Sequence, residues 1–227
     1  MSHIVIVFHS GYGHTAKVAQ AVAEGSGGTL LTIDAAGGST SDNFVMRVRD
    51  AIVDAGYAIA YVDDPSDLRA IVARMRRIAR PVVLLSTSNG TAVAAHNASV
   101  LGADGPDGVV LTSTVTLPSR RFGYSAASVD VSRIHVPVLF VENRNDGCAV
   151  SPPAGIASLM ARFPADAGAT RIDFTSDPTA NDPCGPLSPH GYLGIEDDVT
   201  AAVLTWIHAH VGATKRDAGP AGPNPNG

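Results

Sequence analysis

The sequence has little positive charge and no long apolar run. Lys and Arg together number 16 against 21 Asp and Glu, and the formal net charge is −5. Proteins that bind nucleic acids need surplus positive charge to neutralise phosphates, so we expect no nucleic-acid partner. The N-terminal apolar run covers only residues 4–8, which is too short for a secretory signal or a membrane span. These features predict a cytoplasmic protein with no membrane partner.

The composition otherwise suits a globular protein with a substantial core. Apolar residues make up 45% of the 227 residues and charged residues 16%, so we expect one domain over residues 1–211. Residues 212–227, rich in Pro and Gly, have almost nothing to bury and are predicted to be disordered. His208 and His210 are two positions apart on a predicted helix and do not share a face, so we expect no metal site there. No metal site is predicted elsewhere in the sequence.

Short apolar runs alternate with segments of helical spacing along the chain. The predicted strands are 4–8, 29–33, 57–62, 81–86, 108–113, 136–141 and 170–174. The predicted helices are 14–24, 42–55, 66–79, 89–101, 152–163 and 194–211. Strands that are apolar throughout are typical of a parallel sheet covered on both faces. The sequence therefore predicts a doubly wound α/β fold with a mainly parallel sheet and helices on both faces.

The stretch STSNGT (86–91) joins a predicted strand directly to a predicted helix. Ser88 is central, with the small residues Ser86 and Gly90 two positions away on either side. This pattern is typical of a nucleophile elbow, although glycine usually stands where Ser86 stands here. The amide of Asn89 would then be placed to stabilise an oxyanion. The alternative is that Ser88 only caps the helix.

A nucleophilic serine needs a histidine and a carboxylate, and both follow later strands. Asp146 lies in NRNDGC (143–148), after the sixth predicted strand. His190 lies in SPHGY (188–192), within a long irregular loop after the seventh. Since the carboxyl ends of parallel strands meet at one edge of a sheet, we expect Ser88, Asp146 and His190 to converge there.

From about residue 29 to 211 these motifs resemble the α/β-hydrolase family. The likeness rests on STSNGT, the GG-containing loop DAAGGST (34–40), DDPSD (63–67) and LTSTVT (111–116). The resemblance implies a catalytic triad of Ser88, His190 and Asp146. It also implies a second oxyanion donor from the backbone near Gly37 or Gly38. The short segment between Ser88 and Asp146 leaves little room for a lid, so no large lid is expected.

The two cysteines lie in the same two loops as the acid and the histidine. Cys148 follows Asp146 by two positions, and Cys184 precedes His190 by six. If the triad forms, these loops meet, and a disulfide between Cys148 and Cys184 is predicted. A cytoplasmic location argues the other way, because thiols stay reduced there, so two free thiols are the alternative.

The first loop, SGYGHT (10–15), follows a predicted strand and precedes a predicted helix. A glycine-rich turn at a helix N-terminus can hold phosphate. Residues 3–28 resemble the first unit of flavodoxin-like NAD(P)H:quinone oxidoreductases. That resemblance implies a site for the FMN phosphate, formed by a loop whose matching residues are Ser10, Tyr12, Gly13, His14 and Thr15. The rest of the flavin pattern is absent, and a β-α unit stands where a hydrolase would ordinarily begin with an antiparallel hairpin.

The leading interpretation is a serine hydrolase that cleaves an ester or related acyl substrate, a small molecule, through an acyl-enzyme and with no cofactor. One alternative is a flavodoxin-like NAD(P)H oxidoreductase that binds FMN. The other is a non-catalytic α/β module in which the triad residues do not form a working site.

Overall fold

The computed structural model describes residues 5–8, 28–33, 42–62, 67–118, 123–177 and 181–211. Within these ranges all seven predicted strands occur. They are β1 (Val5–Phe8), β2 (Gly28–Ile33), β3 (Tyr57–Val62), β4 (Val82–Thr87), β5 (Gly108–Thr112), β6 (Val138–Asn143) and β7 (Thr170–Phe174). The predicted tail, residues 212–227, and the predicted helix at 14–24 lie outside the described residues. The assignment of residues 1–211 to one domain stays a prediction.

The seven strands form one sheet in the order β1-β3-β2-β4-β5-β6-β7, and each neighbouring pair is parallel. The order reverses at β2, which pairs with β3 on one side and β4 on the other. A reversal of this kind opens a crevice at the carboxyl edge of a doubly wound sheet. The predicted fold class is confirmed.

Six α-helices occur in the described part of the chain. They are α1 (Phe44–Arg47), α2 (Arg49–Asp54), α3 (Leu68–Met75), α4 (Gly90–Leu101), α5 (Ile156–Met160) and α6 (Glu196–His210). The single helix predicted over 42–55 is divided at Val48, whose φ of −100° and ψ of 6° leave the helical region. The helix predicted over 152–163 is shorter than expected. Pro153 starts it as a 3-10 turn, and Pro164 follows soon after its end.

The helices cover both faces of the sheet, with a separate apolar core on each face. On one face α3, α4 and α5 pack against residues such as Leu84, Leu111 and Phe140. On the other face α1, α2 and α6 pack against Leu85, Val110 and their neighbours. Alternate residues of β3, β4, β5 and β6 enter opposite cores, which explains why these four strands are almost wholly apolar.

No helix among the described residues is both long enough and apolar enough to cross a membrane.

Candidate active site

Ser88 lies in the turn between β4 and α4, in the left-handed backbone region, with φ of 55°. Few residues other than glycine adopt this conformation, and its cost must be offset by surrounding bonds. The Ser88 N–H donates to the Thr112 carbonyl at 3.0 Å. The Ser88 carbonyl accepts from the Thr91 N–H at 2.9 Å and from the Thr91 hydroxyl at 2.6 Å. The turn therefore has the backbone conformation and bracing of a nucleophile elbow.

The residues two positions either side of Ser88 are tightly enclosed. Ser86 is fully buried on β4, and Gly90 is buried as the first residue of α4. The Ser86 hydroxyl has no hydrogen-bond partner among the described residues. A glycine at this position would have no such unpaired group.

Asn89 immediately precedes α4 and has helical backbone angles, with φ of −56° and ψ of −30°. The first amides of a helix have no carbonyl partner within it, so this end of α4 is suited to stabilising negative charge. The other predicted oxyanion residues, Gly37 and Gly38, lie outside the described residues.

Asp146 lies in the loop that follows β6, where it is buried beside the histidine loop. Its Oδ1 accepts from the Cys148 N–H at 2.8 Å. Its Oδ2 lies 2.8 Å from His190 Nδ1. The two loops that follow β6 and β7 therefore meet through this carboxylate.

His190 lies in a 3-10 turn that is fixed at both of its backbone groups. Its N–H donates to the Ser188 hydroxyl oxygen at 3.1 Å. Its carbonyl accepts from the Ser113 hydroxyl at 2.6 Å. The next residue, Gly191, has no room for a side chain, because a Cβ there would meet the Pro186 carbonyl. The His190 side chain is 3% exposed, and its orientation is set by this packing.

The two nitrogens of the His190 ring have different surroundings. Nδ1 faces Asp146, and Nε2 is buried with no hydrogen-bond partner in the described part of the structure. A proton on Nδ1, donated to the carboxylate, leaves the lone pair on Nε2. This is the tautomer that can accept a proton from a hydroxyl.

Ser88 and His190 are both bonded to the end of β5, through consecutive residues. The Ser88 amide is bonded to Thr112, and the His190 carbonyl is bonded to Ser113. The structure thus brings Asp146 and His190 into direct contact and places Ser88 at the same strand edge. No hydrogen bond joins Ser88 to His190 Nε2 in the described part of the structure. Such bonds are often formed only when substrate binds.

Tyr192 supports this edge and was not singled out from the sequence. Its hydroxyl accepts from the Ser113 N–H at 2.8 Å and donates to the Val141 carbonyl at 2.6 Å. The side chain is completely buried, and burial raises the pKa of Tyr192 well above its ordinary value of 10. Ser113, like Ser88, has positive φ, at 47°. Tyr192 therefore joins β5 and β6 to the loop that carries His190.

Glu142 is a second buried acid near the site, and it too was missed. It is the fifth residue of β6 and is 0% exposed. Its carboxyl oxygens lie 3.3 and 3.4 Å from the Thr114 N–H. Burial is the main cause that raises its pKa from 4.5 to about 8, so Glu142 is largely protonated at neutral pH. A glutamate inside the apolar run VLFVEN was the sequence signal for it.

Cys148 and Cys184 are joined by a disulfide bond in the structure, with an S–S distance of 2.04 Å. The bond links the loop of Asp146 to the loop of His190. On one side, the Cys148 N–H donates to Asp146. On the other side, the carbonyl of Gly185 accepts from Ser188, which caps the His190 turn. The disulfide is thus close in sequence to both Asp146 and His190.

The residues of the predicted phosphate loop, Ser10, Tyr12, Gly13, His14 and Thr15, lie outside the described residues. Among the residues that are described, no group of three or more His, Cys, Asp or Glu side chains could hold a metal ion.

Comparison with known proteins gives a short sequence match and a broad structural one. No protein-family profile matches the sequence. A 37-residue segment is 57% identical to flavodoxin FldP of Pseudomonas aeruginosa; it covers 16% of this chain and only 20% of the flavodoxin. The chain therefore matches about a fifth of that relative's length.

Several solved enzyme structures share most of the fold at low sequence identity. A sugar hydrolase from Lactococcus lactis is 14% identical, with 83% of this chain and 91% of that one covered at a TM-score of 0.57. A bromoperoxidase from Bacillus anthracis is 14% identical, with 80% of this chain and 93% of that one covered at a TM-score of 0.56. A metagenome-derived lipolytic enzyme is 15% identical, with 81% of this chain and 94% of that one covered at a TM-score of 0.53. The chain therefore has the fold of the α/β-hydrolases.

Proposed function

We propose, starting from the α/β-hydrolase fold, that this chain is a serine hydrolase acting on an ester or related acyl substrate. The observation that carries the proposal is the buried Asp146–His190 hydrogen bond, at the sheet edge where Ser88 occupies a left-handed turn. Structural neighbours described as a lipolytic enzyme and a pyrethroid hydrolase support the reaction class. Fold alone does not assign chemistry, so the residues at the site have to support it.

In the proposed mechanism, Ser88 Oγ attacks the acyl carbonyl while His190 Nε2 accepts the hydroxyl proton. Asp146 holds the Nδ1 proton and stabilises the imidazolium that forms. The imidazolium then gives its proton to the departing alcohol, leaving an acyl group on Ser88. Water, deprotonated by Nε2, attacks the acyl-enzyme, and the proton returns to Ser88 as the acid leaves.

The oxyanion that forms in each half-reaction needs hydrogen-bond donors. We assign one to the Asn89 N–H, because it follows the nucleophile at the start of α4. The second is proposed to come from the backbone near Gly37 or Gly38. Loss of one such donor typically reduces transition-state stabilisation by about 3–4 kcal/mol.

Exposed leucines occur in the loops that surround the site. Leu117 follows β5 and is 49% exposed. Leu187 and Leu193, three positions before and after His190 in the sequence, are 52% and 46% exposed. Apolar side chains exposed around a polar centre suit an apolar acyl group. A series of p-nitrophenyl esters of increasing chain length tests this, and a clear preference for acetate over longer acyl chains would contradict it.

Fluorophosphonate labelling followed by mass spectrometry tests the central proposal. We expect one modified residue, Ser88, and no label on Ser88→Ala. His190→Ala should lower kcat on a p-nitrophenyl ester by at least about 10⁴-fold. His135→Ala is the matched control, because His135 Nδ1 also lies 2.9 Å from a carboxylate, that of Asp166, but in an exposed pair. Full activity of a folded Ser88→Ala variant would overturn the proposal. A folded wild type that neither labels nor hydrolyses esters would favour a non-catalytic module.

A second candidate function is FMN binding by residues 10–15, whose loop SGYGHT resembles a flavin phosphate loop. The 37-residue match to a flavodoxin also favours it. It predicts a yellow protein on purification, or quenching of FMN fluorescence on titration. Gly13→Asp would place a negative charge in the phosphate loop and should abolish that quenching. A colourless wild type that leaves FMN fluorescence unchanged would remove this candidate without affecting the hydrolase proposal.

A further inference from the structure

Ser151 is a buried serine in the acid loop, five residues after Asp146 and immediately before Pro152. It is 0% exposed, and its N–H donates to the Cys148 carbonyl at 3.1 Å. That turn folds the loop back on itself and directs the Ser151 hydroxyl towards the interior. The hydroxyl is therefore held in place by the backbone.

The Ser151 hydroxyl completes a triangle with the acid and the histidine. Its Oγ is 2.9 Å from Asp146 Oδ2 and 3.1 Å from His190 Nδ1, while Nδ1 and Oδ2 are 2.8 Å apart. An ionised carboxylate only accepts hydrogen bonds, so the single hydroxyl proton goes to Oδ2. The lone pairs of Oγ then face the Nδ1–H. Asp146 and Ser151 thus both accept from the same ring proton.

The opposite arrangement, in which the Ser151 hydroxyl donates to His190 Nδ1, is disfavoured. If Ser151 donated its proton to Nδ1, that nitrogen would have to be unprotonated, and the proton of a neutral ring would lie on Nε2. The Nδ1 lone pair would then face the carboxylate oxygen Asp146 Oδ2 at 2.8 Å, and the two acceptors would repel each other. The triangle therefore favours the tautomer with a free lone pair on Nε2.

We infer that Ser151 is a positioning residue of the proposed triad. It acts through Asp146 and His190 and does not touch the reacting atoms. By donating to Oδ2 it fixes the rotation of the carboxylate, and by accepting from Nδ1 it fixes the ring with Nε2 directed away from the acid. This inference rests on the proposed serine hydrolase function and adds a fourth member to its hydrogen-bond network.

Ser151→Ala tests the inference by removing only the hydroxyl. We expect kcat to fall roughly 10- to 100-fold, the effect of losing a hydrogen bond to a charged group, with KM unchanged. Ser99→Ala is the matched control: Ser99 is 5% exposed and its hydroxyl donates to the Asp130 carbonyl at 2.8 Å, away from the site. It should lower Tm without lowering kcat. Equal kcat values for Ser151→Ala and Ser99→Ala would overturn the inference.

A second pair of variants separates the hydroxyl from its packing. Thr and Val have nearly the same shape, so Ser151→Thr should restore kcat relative to Ser151→Ala, whereas Ser151→Val should not. Equal losses in two folded variants would mean that Ser151 only fills space. If the extra methyl prevents folding of both, the comparison between Ser151→Ala and Ser99→Ala decides.

A spectroscopic readout does not depend on activity. The Nδ1 proton of His190 should give a slowly exchanging low-field NMR signal, identified by its loss in His190→Ala. We expect this signal to move or broaden in Ser151→Ala and to stay unchanged in Ser99→Ala. An unmoved signal would overturn the inference. Failure of the wild type to label with a fluorophosphonate would instead count against the proposed function.

Discussion

Glu142 gives the sharpest test of the physical reasoning, because its surroundings make stability depend on pH. The carboxyl group is fully buried near the end of β6, where it accepts only long hydrogen bonds from the Thr114 N–H, at 3.3–3.4 Å. Loss of hydration disfavours the charged form, which is the main reason that its pKa rises to about 8. Replacement by Gln keeps the shape and removes the titration.

The sign and size of the effect follow from linkage between protonation and folding. Between pH 4.5 and about 8 the folded state keeps the Glu142 proton, whereas the unfolded chain has released it. The free energy of unfolding of the wild type therefore falls as pH rises through this window. Each pH unit changes it by about 1.4 kcal/mol, so the full window is worth about 5 kcal/mol. The contribution is fully present below pH 4.5 and lost above pH 8.

Urea unfolding of the wild type and Glu142→Gln, from pH 5 to pH 8, measures the effect. We expect the free energy of unfolding of Glu142→Gln, minus that of the wild type, to rise by about 4 kcal/mol over these three pH units. Any cost of placing an amide in the pocket is the same at every pH, so it does not contribute to this change. Asp197→Asn removes the same charge from an exposed position on α6 and serves as the control. A difference that stays flat for Glu142→Gln would refute the assignment of a buried, neutral acid.

Two further predictions concern stability. The double variant Cys148→Ser with Cys184→Ser opens a loop of 36 residues and should lower the free energy of unfolding by about 4 kcal/mol in the chain-entropy model. Urea unfolding measures this, and unchanged stability would contradict it. Ser86→Ala removes a buried hydroxyl that has no partner in the described structure and should stabilise the fold by about 1 kcal/mol, raising Tm by roughly 2–4 °C. A lowered Tm would contradict this.

The fold was largely predictable because the strands carry a strong signal. In a doubly covered parallel sheet both faces of a strand are buried, so β4, β5 and β6 are apolar runs bounded by polar turns. The divided helix at Val48 and the short α5 were not predicted. Their boundaries depend on local backbone angles and prolines, which apolar spacing does not report.

The candidate site residues could be selected from the sequence because each follows a strand or lies in a turn of special shape. Ser88, Asp146 and His190 each follow one strand of the sheet. The supporting contacts were not predictable, because their partners are distant in the chain. Tyr192 and Ser113 come together only when β5 and the histidine loop are packed. Ser151 is an ordinary loop serine until the acid loop turns back on itself.

The pairing of β1 has a consequence for how the sheet ends. β3 is fully buried and apolar, and it hydrogen-bonds to β2 on one side and to β1 on the other. Without β1, a six-residue apolar strand would offer unpaired backbone groups to any other chain, which is a template for aggregation. β1 is only four residues long, and a short edge strand is a poor template for further pairing. A short first strand at this edge therefore disfavours pairing of the sheet with another chain.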